Sequence, residues 1–219
     1  MMLRRQDTLS AFDGTLSAGL VNPVTLRLFV RKSGWLTDVL SGRRRYTPAP
    51  DGLVCRLAES SPLIRYEVHD AYRNQIVHSP IWMVEGPQKR ALSFLGTPAG
   101  YEVAAFIEAI TVASRADSGL APKVREILSR VSRPVEVEVF THPLCPFCAA
   151  ISATAYRFAA ENPKISAKTI DAAAFPRLAK WRGVRTFPTV IVNGTFAFSG
   201  PKTTERFAQT LVERTTPNA

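Results

Sequence analysis

Apolar and polar residues alternate along two stretches of the chain that begin alike. Asn22-Pro23-Val24 opens Val24-Thr25-Leu26-Arg27-Leu28-Phe29-Val30, and Arg133-Pro134-Val135 opens Val135-Glu136-Val137-Glu138-Val139-Phe140. A period of two predicts strands whose faces meet different surroundings. A second apolar strand follows in each half, Ile64–His69 and Ile165–Ile170, each ending at an aspartate, Asp70 or Asp171. Each half then sets a proline before an apolar run: Ser79-Pro80 before Ile81–Val84, and Phe187-Pro188 before Thr189–Val192. Asn193-Gly194 predicts a two-residue hairpin into Thr195–Phe198, where the first half has Glu85-Gly86 and then Ala91–Leu95. Each half closes with a glycine and an amphipathic helix, Gly96 then Tyr101–Ile110, and Gly200 then Thr203–Val212. The offset between matched landmarks is nearly constant, so the chain reads as a duplication. Residues 116–132 join the halves and predict a helix, with Val124, Ile127, Leu128 and Val131 at helical spacing.

Length agrees with that division, since 219 residues suit two domains of roughly 100 residues each. With 46% apolar residues the chain can build a core without disulfide staples. No stretch approaches the roughly 18–20 continuous apolar residues of a membrane span. Two arginines, Arg4 and Arg5, precede no apolar block, and Asp13-Gly14 interrupts the region where a signal peptide carries its hydrophobic core. A cytoplasmic protein is therefore expected, and three cysteines fit that compartment.

A net charge of +10 raises the question of nucleic acid. The positive residues are scattered, apart from Arg43-Arg44-Arg45 and a looser group of Arg177, Lys180, Arg182 and Arg185. Neither group is read as the interleaved basic and aromatic surface that stacks bases. A solvated basic face that favours acidic protein partners is the preferred reading.

The chemistry concentrates in Cys145-Pro146-Phe147-Cys148. The motif follows the strand at Val135 and opens a helix through Ala149, Ile151, Ala153, Tyr156, Phe158 and Ala159. A cysteine at a helix amino terminus has free amide N–H groups and the positive end of the helix dipole beside it, and both favour the thiolate. Cys148, three residues on, shares the same side of the first turn and can attack a mixed disulfide formed at Cys145. Pro146 is tolerated in that turn because no N–H partner is lost. A structural zinc site would need four ligands, and beyond this pair the chain offers only Cys55, His69, His78 and His142. An iron–sulfur cluster held across a dimer is a further alternative. Cys55, alone among apolar neighbours, reads as a packed core residue.

The order strand, helix, strand, helix, strand, strand, helix in each half resembles a thioredoxin or glutaredoxin fold. Two in tandem resemble the two-domain protein disulfide oxidoreductases and the amino-terminal module of the alkyl hydroperoxide reductase flavoprotein. The residues carrying the resemblance are Asn22-Pro23-Val24, Gly96-Thr97-Pro98-Ala99-Gly100-Tyr101-Glu102, Cys145-Pro146-Phe147-Cys148, Phe187-Pro188-Thr189 and Val192-Asn193-Gly194. The fold class implied is α/β: two tandem thioredoxin-like domains, each a mixed central sheet flanked by helices. Domain limits are expected at 18–115 and 133–216, with 116–132 as a linker helix. The resemblance implies a thiol–disulfide oxidoreductase with Cys145 as nucleophile, Cys148 as resolving thiol, and Pro146 and Phe147 supporting the motif. It also implies a cis Pro188 beside the disulfide, with the Phe187 backbone pairing with an extended substrate. By the same resemblance Glu136 or Glu138 is a candidate proton acceptor for Cys148, while His142 is expected as a loop histidine facing water. No metal or cofactor beyond the redox-active disulfide is expected. A thioredoxin-reductase-type flavoprotein would supply electrons to protein disulfides or a peroxiredoxin. Neither glutathione-binding element of glutaredoxins is complete in Thr141-His142-Pro143-Leu144 or Phe198-Ser199-Gly200-Pro201-Lys202. The first half has Arg31-Lys32-Ser33-Gly34-Trp35-Leu36 where the second has its cysteines, and is expected to be redox-inactive. A client-binding or chaperone module with little turnover is the alternative function.

Overall fold

A computed structural model describes residues 19–31, 56–57 and 60–215. The helix expected after the first strand, the lone Cys55 and the Arg43-Arg44-Arg45 run lie outside the described residues. The strands expected from alternation form with ends shifted by at most a residue or two. They are β1 (Val24–Val30), β2 (Ile64–Asp70), β3 (Ile81–Glu85), β4 (Leu92–Leu95), β5 (Val135–Thr141), β6 (Ile165–Asp171), β7 (Thr189–Val192) and β8 (Thr195–Ser199). The helices are α1 (Glu102–Arg115), α2 (Pro122–Ser129), α3 (Pro146–Glu161), α4 (Pro176–Trp181) and α5 (Thr204–Thr215).

The second half follows the expected order throughout. The first departs from it: 71–80, opposite α4 in the repeat, is a run of turns. Its Tyr72-Arg73-Asn74-Gln75 has no apolar stripe with which a helix could be held to the sheet.

Within each half, the central strand pairs in parallel with its second strand and antiparallel with its third, and the third pairs antiparallel with the fourth. The halves are not separate sheets. β4 pairs in parallel with β6, Leu92 beside Ala167 through Leu95 beside Ile170, giving one eight-stranded sheet in the order β2-β1-β3-β4-β6-β5-β7-β8.

Strand alternation then sorts the core. Val24, Leu26 and Leu28 of β1 and Val135, Val137 and Val139 of β5 join a buried cluster with Phe106 and Ile110 of α1, Leu128 of α2, Ile151 and Tyr156 of α3 and Phe207 of α5. The alternate positions, Phe29 and Phe140, pack on the other face with Ile81, Leu95, Ile170 and Ala179. One face is thus roofed by helices from both halves.

Tyr156 shows how closely the halves are joined. It is fully buried in α3, and its hydroxyl donates to the Ser93 carbonyl of β4 at 2.9 Å. Tyr156→Phe would remove that hydrogen bond from a fully buried site, which costs about 1 kcal/mol. Urea unfolding should show a lower midpoint at unchanged slope.

Candidate redox site

β5 ends at Thr141, the chain turns through His142-Pro143-Leu144, and α3 begins at Pro146. Cys145 is the N-cap of α3, with extended backbone (φ −93°, ψ 108°), and Pro146 occupies the first helical turn. No side chain caps the helix, and the Cys148 N–H donates to the Cys145 carbonyl at 3.3 Å. Cys145 and Cys148 are joined as a disulfide with Cα atoms 5.4 Å apart. The two sulfurs differ in access: Cys145 is half-buried, whereas Cys148 is wholly buried against the sheet. A partner can therefore reach only the first.

The Phe187–Pro188 peptide is cis, and so is its counterpart Ser79–Pro80 in the first half. The repeat extends to their hydrogen bonds: Gly200 N–H donates to the Pro188 carbonyl at 2.8 Å, and Gly96 N–H to that of Pro80 at 2.9 Å. The Phe187 ring lies 5.6 Å from that of His142. His142 is half-buried, accepts the Cys145 N–H on its carbonyl at 2.9 Å and the Leu144 N–H on Nδ1 at 3.2 Å. It is not the solvent-facing loop residue expected; it holds the cysteine loop and braces Phe187. Leu144 and Phe147 stand exposed on the rim.

A third segment reaches the site from the first half. Tyr101 N–H donates to the Pro143 carbonyl at 2.9 Å. Gly100 has φ +54°, and a Cβ there would stand 2.3 Å from the Pro143 oxygen. Glu102 follows, only 1% exposed, with Oε1 2.6 Å from the Thr141 hydroxyl. That hydroxyl is also 3.2 Å from the Ile170 carbonyl. It has one proton to give, so both contacts are hydrogen bonds at once when the carboxyl is protonated and donates. Burial raises the Glu102 carboxyl to about 7, with nearby Asp171 adding to the rise and the Thr141 contact opposing it.

Glu136 and Glu138 do not occupy this position. They alternate with Val137 and Val139, which face the helix layer containing α3, so both project from the opposite face. Glu138 is buried there, its Oε2 3.0 Å from Arg182, and Lys168 reaches Glu136 at 2.6 Å. The buried acids at the cysteine end of β5 are Asp171, the register partner of Thr141, and Glu102, which bonds the Thr141 hydroxyl from α1. The sequence signal for Glu102 is the Gly100-Tyr101-Glu102 stretch, which β4–β6 pairing brings beside Thr141.

Among the described residues no group of three or more His, Cys, Asp or Glu is arranged to hold a metal ion, and no helix is long and apolar enough to cross a membrane.

Residues 135–213 match a family model described as a thioredoxin domain. A thioredoxin of Methanocaldococcus jannaschii is 31% identical over 81 residues, 36% of this chain and 95% of the relative. A protein disulfide oxidoreductase from Aeropyrum pernix superposes with a TM-score of 0.78 at 26% identity, covering 98% of this chain and 95% of that one. The NTD_N/C domain of alkylhydroperoxide reductase AhpF from Enterococcus faecalis superposes at 0.77 with 20% identity, covering 95% and 100%. The Cys145–Cys148 disulfide of this chain, at the head of α3, accompanies these likenesses, and the chain belongs to the thioredoxin family of thiol–disulfide oxidoreductases.

Proposed function

We propose that the protein reduces protein disulfides, with Cys145 as the attacking thiolate and Cys148 as the resolving thiol. The observation carrying this reading is the difference in access between the two sulfurs at one helix amino terminus. The Cys145 thiolate attacks one sulfur of the substrate disulfide, and the other leaves and takes up a proton. Cys148 gives its proton to the Glu102 carboxylate and attacks Cys145 Sγ. The second substrate thiol is released and the Cys145–Cys148 disulfide closes, so two electrons pass to the substrate. A thioredoxin-reductase-type flavoprotein would restore the dithiol, and a peroxiredoxin is one candidate recipient; no further cofactor or metal is needed. Phe187 and Pro188 present the strand-like edge along which substrate backbone would lie. Pro146 and Phe147 shape the turn. A disulfide already formed across this pair favours redox turnover over pure client binding.

On this reading the chain divides into a redox-inactive unit at 18–115, a linker helix within 116–132 and the redox unit at 133–216. The first unit supports the second through Gly100, Tyr101 and Glu102. The protein would work in the cytoplasm.

Three outcomes are expected. Cys145→Ser should abolish insulin-disulfide reduction, while Cys148→Ser should accumulate mixed disulfides visible on non-reducing gels; turnover by the Cys145 variant refutes the assignment.

Glu102→Gln separates stability from activity. The carboxyl is held in its neutral form by the fold, so its contribution is complete below about 4.5 and is lost as pH rises through about 7. The amide should flatten the pH dependence of unfolding over that window and raise stability at pH 8. It should also slow mixed-disulfide resolution at neutral pH by about 100-fold, the scale of a lost general base.

Gly100→Ala and Gly119→Ala both force a non-glycine residue into a left-handed conformation, costing about 1 kcal/mol. Only the first drives a methyl group into Pro143, since nothing lies within 4 Å of a Cβ at Gly119. Insulin reduction should fall several-fold in the Gly100 variant and hold in the other.

A further inference from the structure

The surface leading into Phe187-Pro188 carries charge of one sign. From residue 172 to residue 204 the chain contains no aspartate or glutamate, but it does contain Arg177, Lys180, Arg182, Arg185 and Lys202. Arg177, Lys180 and Trp181 sit at i, i+3 and i+4 of α4, and all three are exposed. The opposite side of α4 is fixed to the sheet, with Ala179 buried and Leu178 packed beside it. Trp181 is 73% exposed, and the Arg182 guanidinium stacks over its ring at 4.6 Å. Glu138 anchors that guanidinium from below, so the ring and its cation form a fixed platform. The basic group therefore does carry an aromatic, contrary to the expectation from sequence.

Many cations elsewhere in the protein are neutralised locally. Arg27 pairs with Glu67 and Glu85, Lys123 with Glu205, and Arg157 with Glu108. Among the described residues, no acidic side chain bridges to Arg177, Lys180 or Arg185. Arg185 is exposed and two residues before Phe187, whose ring meets His142 in the cysteine loop. Unpaired positive charge thus extends from α4 to the rim of the disulfide. The inner part of that rim is apolar, with Leu144 78% and Phe147 58% exposed.

We propose that α4 and the segment from Arg182 to Thr186 form a docking surface for acidic protein substrates, whose disulfide is flanked by several Asp or Glu residues. The surface rests on the reductase reading above and specifies its substrate class. Charge complementarity selects the occupant: carboxylates on the substrate meet Arg177, Lys180 and Arg185 while apolar residues next to its cystine meet Leu144 and Phe147. Steering by such a field raises the encounter rate and is screened by salt.

The test uses the full-length protein, reduced and freed of reductant, in single-turnover reaction with three peptides. Each contains the same intramolecular disulfide, flanked by four Glu, four Gln or four Lys. The second-order rate with the Glu peptide should exceed that with the Gln peptide by on the order of ten-fold at low salt, with the Lys peptide slowest. The ratio should approach one near 1 M NaCl, where screening acts within about 3 Å. Arg177→Glu, Lys180→Glu and Arg185→Glu combined should invert the order, and the corresponding triple Gln variant should bring the three rates together. Equal rates with all three peptides, or an unchanged order in both triple variants, would overturn the proposal. Tighter binding of a single-stranded oligonucleotide than of the Glu peptide at matched ionic strength would also overturn it, assigning the surface to nucleic acid. Failure of the wild-type protein to reduce even the Gln peptide would instead sink the reductase reading itself.

Discussion

Because β4 pairs in parallel with β6, the edge strand of the first half becomes an interior strand of a continuous sheet. That pairing brings the turn after β4 beside the end of β5. Gly100 then presses on Pro143, Tyr101 N–H bonds the Pro143 carbonyl, and Glu102 enters the buried space beside Thr141. The loop that carries Cys145 is held from one side by this turn and from the other by the His142–Phe187 contact. The half without the cysteine pair therefore completes the site of the half that has it.

The chemistry follows from two environments a few ångströms apart. Cys145 caps a 16-residue helix that no side chain caps, and the positive end of that helix favours its thiolate. Cys148 is buried, where a thiol resists ionisation unless a base is near. In the proposed mechanism the Glu102 carboxyl, raised to about 7, accepts that proton at neutral pH, because its charged and neutral forms are close in free energy there. In the redox half Glu138 pairs with Arg182, and among the described residues no acidic side chain bridges to Arg177, Lys180 or Arg185.

Much of this was legible in the sequence because local rules govern it. Alternation located β1 and β5, the proline before each apolar run located β3 and β7, and Asn193-Gly194 located the last hairpin. The cysteine spacing and the following apolar helix located the redox pair. What was not legible depends on contacts distant in sequence. Alternation puts Glu136 and Glu138 on one face of β5 but does not say which face α3 covers, and they lie on the other. Glu102 sits in a different half and is recognised only once β4 and β6 are joined. The helix expected between β2 and β3 gives way to turns because Tyr72-Arg73-Asn74-Gln75 offers no apolar face.

The two sulfurs have different environments and hence different roles. Brief alkylation of the reduced, full-length protein with substoichiometric iodoacetamide at neutral pH, followed by peptide mass mapping, tests this directly. The label should appear on Cys145 well before Cys148. Equal labelling of the two, or earlier labelling of Cys148, would contradict the account.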